Sequence, residues 1–428
     1  MKKNTKRPWK VFAAILLAIL FGSWAGQDKA LFGITYYSVL DVFGEIFLKA
    51  LTLIVVPLVS SSIITGISRI GNEKALGRLG GKMFLSYFGT TMIAILIGLF
   101  FVNLLSPGAA HLAPPISAIQ EAKLANIQQD AAGGGLSNLV RVLIQIVPSN
   151  IILAFSPGQM LGLIFFSMLF GYCLSKIDPG PGAIVQGFWQ GIFQTMIQIT
   201  HVIMKFLPFG VFCLVGKVFA TTGLESLASL GLFLLTVLLG LATFMFVALP
   251  LILKLVVGVS PLRHFKAMMP AIVTAFSTTS SSATLPVTID CVEKRAGVSN
   301  RVCGLVVPLG TSVNMSGSAL YECVAAMFVA QVYGLDLSFG TQFLIVLSAL
   351  IASVGVAGIP SGSLVAVIVV MGVIGLPPEG IGLFIAVDRL VDMCRTTVNV
   401  FSDSCCAVIV ARLEGENVLT TDPQTMDT

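Results

Sequence analysis

Apolar segments long enough to cross a membrane recur along this chain and restrict the folds that it can adopt. Such segments, each able to span a hydrocarbon core of about 30 Å, follow one another along most of the 428 residues. Inside a bilayer every backbone N–H and C=O must be hydrogen-bonded within the protein, which leaves only helices and closed barrels. Barrel strands alternate polar and apolar residues over about ten positions, and these segments do not. The sequence therefore predicts an all-α polytopic membrane protein.

Composition and charge agree with that fold class. The chain is 56% hydrophobic and 11% charged, whereas a soluble domain carries about 25% charged residues. The net charge of +5 arises from basic residues at the N-terminus and in short loops between the spans. This distribution follows the positive-inside rule. We therefore expect a multi-pass protein of the plasma (inner) membrane, with an uncleaved first helix, both termini cytoplasmic and no nucleic-acid partner.

The eight cysteines carry no binding motif. They are scattered through apolar surroundings without CxxC or CxxH spacing. A cysteine in such a place acts as a small buried hydrophobic residue, so we expect neither a disulfide framework nor a cysteine metal site. No cofactor is expected.

Hydropathy predicts six spans before residue 260, and a different pattern after it. The six spans lie at 9–26, 37–68, 81–105, 138–176, 185–220 and 226–258. Segment 262–290 contains the hydroxyl-rich AFSTTSSSATLPV and is charged at both ends, which favours a hairpin that enters and leaves on one side of the membrane. The next helix is interrupted by NMSGS, and segment 338–376 contains the break SVGVAGIPSGS. Paired interruptions of this kind indicate the midplane binding site of a transporter.

The segment DRLVDMCRTTVNVFSD, residues 388–403, places charges inside the last span. At about 100° per residue, one stripe roughly 80° wide contains Asp388, Asp392, Arg395, Asn399 and Asp403, with Thr396 at its edge. One charge at the bilayer centre costs about 2.5–3.5 kcal/mol. A structural Asp392–Arg395 pair would explain only part of this stripe. We favour a wet site in which Arg395 binds a substrate carboxylate and the aspartates bind cations, because it uses the whole stripe.

Four motifs occur in the order found in the dicarboxylate/amino acid:cation symporters, namely SSSATLPVT, NMSGSALYE, AGIPSG and DRLVDMCRTTVNVFSD. The chain resembles this family, which includes prokaryotic glutamate and aspartate transporters and the excitatory amino acid transporters, over nearly its full length. The resemblance implies a homotrimer whose protomers have about eight transmembrane helices and two re-entrant helical hairpins, arranged as inverted repeats. A transport domain would move against a scaffold in an elevator mechanism.

The resemblance also divides the chain into scaffold and transport parts. The scaffold would comprise spans 1–2 (residues 1–80) and spans 4–5 (138–220). The transport domain would comprise span 3 with an external loop (81–137), span 6 (221–260) and a core of hairpin 1, broken span 7, hairpin 2 and span 8 (261–412), before a cytoplasmic tail (413–428).

The resemblance assigns substrate contacts to the motif residues. Arg395 would bind the side-chain carboxylate of the substrate and Asp392 its α-ammonium. The other implied contacts are Thr396 near the ammonium, Ser318 near the side-chain carboxylate, and Asn399, Ser281 and the backbone around Ile359 at the α-carboxylate. Both Asp392 and Arg395 are present, and this combination implies an acidic amino acid, L-glutamate or L-aspartate.

The resemblance likewise assigns sodium positions. Asp403 would hold one Na⁺ with backbone carbonyls of Gly310, Asn314 and Asn399. A second would lie among carbonyls of Ser312, Met315, Ser353, Val354 and Val356. Tyr87, Thr90, Thr91 and Asn314 match a third. Broken helices expose carbonyls for such cations.

Three features depart from the family pattern or leave the coupling open. Ser316 stands where the family usually has an aspartate that serves the third sodium. Relatives carry an arginine at the position of Thr279 or of Met393, and Arg389, with Asp388, would be a supporting charge. Glu322 matches a glutamate that carries a proton in some relatives, and an ionisable residue inside a span is a candidate proton carrier.

Three other functions are weighed against the Na⁺-coupled symporter. Proton-coupled symport of glutamate, aspartate or a C4-dicarboxylate is the first. An ion channel could also use hydroxyl- and carbonyl-lined re-entrant segments, but Arg395 among acids favours a stoichiometric pocket. An intramembrane hydrolase would need a base near its serine, and the histidines, His111, His201 and His264, are expected in or near loops or in a scaffold span, not in these hairpins. We therefore expect a transporter and not an enzyme.

Overall fold

The protein is almost entirely helical. The computed structural model describes residues 7–71, 76–109, 147–155, 160–222, 226–335, 337–355 and 362–419. The strands in this part pair as one short antiparallel hairpin of Ala30–Leu31 (β1) and Ile34–Thr35 (β2). Among the described residues, five helices are long and apolar enough to span a membrane, and a bent helix pair gives a sixth. The expected all-α polytopic membrane fold is confirmed.

The described N-terminal half contains helices that match the first three predicted spans closely. Their bounds are α1 (Arg7–Ala25), α2 (Tyr36–Gly71), α3 (Leu76–Leu105), α4 (Ile151–Ala154), α5 (Met160–Leu174), α6 (Pro179–Ile203) and α7 (Leu207–Thr222). The predicted span 138–176 falls partly outside the described residues. Its described part contains the short α4 and the longer α5 instead of one continuous helix.

The predicted span 185–220 consists of two helices, not one. The helix axis bends by 61° between α6 and α7. Pro208 lies in the first turn of α7, where its missing N–H costs nothing, whereas inside a continuous helix it would remove a hydrogen bond and clash with the preceding turn. The bend is closed by hydrogen bonds from Lys205 N to Val202 O (3.1 Å) and from Phe206 N to Ile203 O (2.9 Å).

The predicted span 226–258 is confirmed as continuous helical structure. It consists of α8 (Ser226–Thr243), a π-helical turn (Phe244–Ala248) and α9 (Leu249–Val257). Gly258 ends it with φ +67°, a left-handed conformation that glycine adopts without a steric penalty.

The C-terminal third has the predicted order of hairpin, broken helix, hairpin and charged helix. The elements are α10 (Pro261–Thr278), α11 (Ser281–Asp290), a π-helical turn (Cys291–Arg295), α12 (Asn300–Val313), α13 (Ser316–Val332), α14 (Phe339–Gly355), α15 (Gly362–Val373), a 3₁₀ turn (Pro378–Leu383) and α16 (Ile385–Leu413). Helix α10 packs against α11 and α14 against α15, which gives two helical hairpins. The tip of the second hairpin, 356–361, lies outside the described residues.

The first hairpin turns at Thr279 and Ser280. Thr279 adopts φ +53°, which is uncommon for a residue other than glycine. The Ser280 side chain accepts a hydrogen bond from Ala283 N at 3.2 Å and so caps α11, because a serine at this position satisfies an N–H of the first turn that has no partner within the helix.

The centre of the protein is formed by α13 and α16, whose side chains are nearly all buried. Helix α16 contacts α3, α10, α12 and α13, whereas α2 contacts α5, α6 and α7, and α1 contacts α7. The charged stripe of α16 is therefore enclosed by other helices. This placement avoids most of the cost of charges that face lipid.

Candidate functional site

The polar stripe of α16 faces the break between α12 and α13. Asn314 and Met315 have non-helical backbone angles and separate the two helices. Gly317, in the first turn of α13, permits close contact with α16, since a Cβ there would lie 2.8 Å from Arg395 O and 3.1 Å from Asn399 Oδ1. The N-terminus of α13, whose first N–H groups have no helical partner, therefore begins directly against the stripe.

Arg395 is held by two aspartates of its own helix. Its Nη1 donates to Asp388 Oδ1 at 3.2 Å, and its Nη2 and Nε donate to Asp392 Oδ1 at 2.8 and 3.2 Å. Tyr321 of α13 donates its Oη to Asp388 Oδ1 at 2.9 Å, and the guanidinium carbon lies 4.7 Å from the centre of the Tyr321 ring. All four side chains are buried. The Asp–Arg pair considered from the sequence is present, and it supplies the compensation that buried charges require.

Arg389 adds a second positive charge to this group. Its Nη1 donates to Asp392 Oδ2 at 3.3 Å, and its side chain is half-buried. The charges of Asp388, Arg389, Asp392 and Arg395 therefore formally cancel. Arg395 has five N–H groups, of which three donate to these aspartates, so two remain for an additional carboxylate. The added negative charge would need an accompanying cation to keep the buried group neutral.

Asn399 links the stripe to the first turn of α13. Its Oδ1 accepts from Gly317 N at 2.7 Å and Ser318 N at 3.3 Å. Its Nδ2 donates to Ser318 Oγ at 3.1 Å and to Met315 Sδ at 3.2 Å. Thr396, one residue from Arg395, is buried as well. The N-terminus of a helix favours negative groups, so this region suits a carboxylate.

Asp403 is on α16, one helical turn beyond Asn399, and it lies next to the C-terminal end of α12. Its Oδ1 accepts from Asn314 Nδ2 at 2.9 Å, and it is 1% exposed. A Cβ on Gly310 would lie 2.6 Å from Asp403 Oδ1, so glycine is required for this approach. A buried carboxylate beside the carbonyls of an interrupted helix is a suitable arrangement of oxygen ligands for Na⁺.

Hydroxyl groups form a cluster next to Asp403. Its members, called the hydroxyl cluster below, are Thr90 and Thr91 of α3, Asn314, Ser316 and Ser402. Asn314 Oδ1 accepts from Thr90 and Thr91 at 3.3 Å each and from Ser316 at 3.1 Å. Ser316 Oγ also lies 3.0 Å from Thr91 Oγ1 and 3.2 Å from Ser402 Oγ. The cluster's own side chains are neutral, and they satisfy one another.

The other proposed cation residues occupy the surroundings of this cluster. Tyr87 donates its hydroxyl to Val306 O, and Ser353 donates its own to Leu350 O at 2.8 Å. Ser312, Met315 and Val354 are described and at least half-buried. Val356 and Ile359 lie outside the described residues. In the first hairpin, Ser281 is the buried first residue of α11.

Glu322 is the least satisfied polar side chain near the site. It is fully buried in α13, and neither carboxylate oxygen has a hydrogen-bond partner among the described residues. An ionised carboxylate without a partner is expensive to bury. The Glu322 carboxyl is therefore suited to carry a proton.

Three residues of the site were not assigned a role in the sequence analysis. Tyr321 holds Asp388 and Arg395, Ser402 belongs to the hydroxyl cluster, and Ser363 of α15 donates to Ser318 Oγ at 3.0 Å. Tyr321 lies within a motif already singled out, NMSGSALYE, and helical spacing places it on a different turn from Ser318. Ser363 and Ser402 gave no signal of their own, because serine is common throughout this chain.

Comparisons with known proteins bear on this site. The profile of the sodium:dicarboxylate symporter family matches residues 8–413. The chain is 34% identical over 409 residues to the proton/sodium-glutamate symport protein of Bacillus caldotenax, covering 95% of this chain and 94% of that protein. It is 32% identical over 406 residues to the proton/glutamate-aspartate symporter of Escherichia coli K12, covering 95% and 92%. It is 33% identical over 462 aligned positions to human excitatory amino acid transporter 3, covering 96% and 87%.

Proposed function

The chain belongs to the sodium:dicarboxylate symporter family, and on that premise we propose that it is a secondary active transporter of L-glutamate and L-aspartate, driven by the symport of cations, chiefly Na⁺. Relatives named for glutamate and for glutamate and aspartate support this substrate class. The observation that carries the proposal is the buried placement of Asp392 beside Arg395 on α16, with a 2.8 Å hydrogen bond between them.

The charges of an acidic amino acid match this pair. Its side-chain carboxylate pairs with the guanidinium of Arg395 in a bidentate manner, with Ser318 as a further donor. Its ammonium binds Asp392, near Thr396. Its α-carboxylate lies at Asn399 and the start of α13, with Ser281 and the backbone at Ile359. A C4-dicarboxylate has no ammonium for Asp392, so its second carboxylate would be repelled there.

Cation binding follows from the oxygen atoms around Asp403. We place one Na⁺ at the Asp403 carboxylate with carbonyls of Gly310, Asn314 and Asn399. A second lies among carbonyls of Ser312, Met315, Ser353, Val354 and Val356. The hydroxyl cluster, with Tyr87, is the third position. Because Ser316 contributes a hydroxyl and not a carboxylate there, we expect this position to bind Na⁺ more weakly than the Asp403 position.

Proton coupling is the second candidate, and Glu322 is the observation that favours it. Its buried oxygens have no partner among the described residues, so a proton that binds in one state and leaves in another would find a carrier there. Two of the relatives above have names that include protons.

The proposed architecture follows the same family. Residues 1–80 and 138–220 form the scaffold, and residues 81–137, 221–260 and 261–412 form the transport domain, with a cytoplasmic tail at 413–428. The extensive packing of α2 against α5, α6 and α7, and of α1 against α7, supports this division. Three protomers would assemble in the plasma membrane with both termini cytoplasmic, and each transport domain would move as an elevator.

The deciding experiment is uptake of radiolabelled L-glutamate and L-aspartate into proteoliposomes that contain the purified protein. Imposed Na⁺ and proton gradients are tested separately. We expect concentrative uptake with the Na⁺ gradient, abolished by Asp403→Asn. Uptake driven by protons alone and abolished by Glu322→Gln would establish the second candidate. If no gradient drives accumulation of either acid, the assigned roles of Asp392 and Arg395 are wrong.

A further inference from the structure

Three buried side chains from three helices meet beside the charged stripe. Ser363 lies in the first turn of α15, the second arm of the second hairpin, Ser318 lies in the first turn of α13, and Asn399 lies on α16. Ser363 Oγ donates to Ser318 Oγ at 3.0 Å, and Asn399 Nδ2 donates to the same oxygen at 3.1 Å. Each residue is 3% exposed. The second hairpin is thus connected to α16 through the hydroxyl of Ser318.

These two hydrogen bonds determine what Ser318 can still do. A hydroxyl group has two lone pairs and one proton. Both lone pairs of Ser318 Oγ are taken by the donors Ser363 and Asn399. The Ser318 proton remains, and no described residue accepts it. Ser318 is therefore a hydrogen-bond donor with no remaining capacity to accept.

The position of this donor matters because of its neighbours. Ser318 follows Gly317, at which an added Cβ would lie 2.8 Å from Arg395 O. The Ser318 N–H already donates to Asn399 Oδ1 at 3.3 Å. The free proton of Ser318 thus belongs to the region where α13 meets the Arg395 turn of α16. An oxygen of a carboxylate, which accepts only, is the group that this proton fits.

We propose that Ser363 is a positioning residue that fixes Ser318 as a donor-only hydroxyl and so selects carboxylate over amide in the substrate. The inference rests on the proposed function. Without the Ser363 proton, Ser318 Oγ has a free lone pair and its hydroxyl can rotate to accept from an amide NH₂. With that proton in place, Ser318 and Arg395 both present only donors, so an amide NH₂ directed at these two side chains finds no acceptor on them.

The test is a set of transport measurements on Ser363→Ala in proteoliposomes. We expect the KM for L-glutamate to rise about 3- to 10-fold, the range of one hydrogen bond, with maximal uptake unchanged. L-Glutamine should inhibit L-glutamate uptake more effectively, relative to L-glutamate itself, than it does in the wild type. The ratio of the apparent affinity for glutamate to that for glutamine therefore falls. Ser348→Ala is the matched control, since Ser348 lies on the other arm and donates to Ile345 O of its own helix at 3.1 Å.

A double-mutant cycle separates this role from a structural one. Ser318→Ala removes the donor, so adding Ser363→Ala to it should cause no further loss in affinity. Ser363→Cys keeps a similar size but has a weaker S–H donor, so it should give a smaller rise in KM than Ser363→Ala. It replaces the alanine variant if Ser363→Ala is not monodisperse in detergent.

Several results would overturn the inference. They are an unchanged KM in Ser363→Ala, an equal loss for glutamate and glutamine, and additive losses in the double variant. If the wild-type protein accumulates neither acidic amino acid, the proposed function itself is wrong and this inference with it. If the wild-type protein accumulates an acidic amino acid but the variants do not show the expected changes, the role of Ser363 is wrong and the proposed function stands.

Discussion

At the scale of single residues, the buried charges are tolerated because their charged atoms have partners. Arg395 donates to Asp388 and Asp392, and Asp403 accepts from Asn314. Glu322 differs, since neither of its oxygens has a partner among the described residues. A charge whose partner is removed costs more than the pair as a whole contributes. The residues of the stripe should therefore respond strongly to single substitutions.

Asp392→Asn tests the ammonium site. The variant loses the negative charge that would bind the ammonium and leaves Arg395 with Asp388 as its charged partner. Removing one partner of a buried ion pair costs about 3–5 kcal/mol, so we expect the KM for L-glutamate to rise at least about 100-fold. The measurement is the concentration dependence of uptake in proteoliposomes.

Asp290→Asn is the control for that substitution. Asp290 pairs with Lys294 at the end of α11, where both side chains are more than half exposed. An exposed pair contributes about 0–1 kcal/mol, so uptake should be unchanged. Equal uptake by Asp392→Asn and Asp290→Asn would contradict an ammonium site at Asp392.

Gly310→Ala tests the cation position at Asp403. The added Cβ would lie 2.6 Å from Asp403 Oδ1, so the carboxylate must move out of its position. We expect the Na⁺ concentration for half-maximal uptake to rise about tenfold or more, because overpacking of this kind typically costs about 1–3 kcal/mol.

Gly304→Ala is the matched control for that variant, since Gly304 lies on the same helix and a Cβ there has no atom within 4 Å. The Na⁺ dependence of Gly304→Ala should equal that of the wild type. A Gly310→Ala protein with unchanged Na⁺ dependence would show that Na⁺ does not bind at Asp403.

At the scale of elements, helices pack closely where small residues permit it. Helix α1 runs against α7, and a Cβ on Gly22 would lie 2.4 Å from Gly216 O. In membranes the close approach of helices depends on such small residues, because there is little hydrophobic driving force between them. The bend between α6 and α7 directs α7 towards α1 and α2. The contact at Gly22 is therefore structural and lies away from the charged stripe.

Gly22→Ala should weaken the α1–α7 contact without changing substrate affinity. We expect a loss of about 1–3 kcal/mol in stability, because backbone atoms cannot move aside as a flexible side chain does. Thermal unfolding in detergent and the KM for L-glutamate measure the two effects. In the control Gly231→Ala, on α8, the new Cβ meets no atom within 4 Å, so it should not destabilise. A raised KM in Gly22→Ala would contradict a purely structural role.

At the scale of the whole molecule, the charged stripe is enclosed, and its charge must stay balanced wherever it moves. The group of Asp388, Arg389, Asp392 and Arg395 is formally neutral. An acidic amino acid adds one negative charge, and bound cations compensate for it. A cluster neutralised in this way faces a much smaller electrostatic barrier in the membrane than an unbalanced one.

Binding of substrate and cation should therefore stabilise the whole protein together. We expect L-glutamate in Na⁺ to raise the unfolding temperature of the purified protein, and L-glutamate in choline to raise it much less. At a ligand concentration 100 times Kd the stabilisation is about 2.7 kcal/mol. Equal stabilisation in Na⁺ and choline at one pH would contradict sodium coupling, and a dependence on pH instead would favour the proton-coupled candidate.

Much of the fold could be predicted from the sequence because its signals are local. Long apolar runs predicted α1, α2 and α3, and the polar interruptions predicted both hairpins and the break at Asn314 and Met315. The polar stripe of α16 followed from helical periodicity alone. The bend between α6 and α7 was missed, because a mean hydropathy over 185–220 does not register a turn inside an apolar segment.

The helical membrane fold and the polar face of the last span could both be established from the order of the residues, since hydropathy and periodicity depend only on neighbouring residues. The hydrogen-bond partners of the polar side chains depend instead on how the helices pack. Tyr321 contacts Asp388 across 67 residues, Asn314 contacts Asp403 across 89, and Ser363 contacts Ser318 across 45. A hydrogen bond requires atoms about 3 Å apart, and the packing of separate helices, which no local pattern encodes, sets that distance.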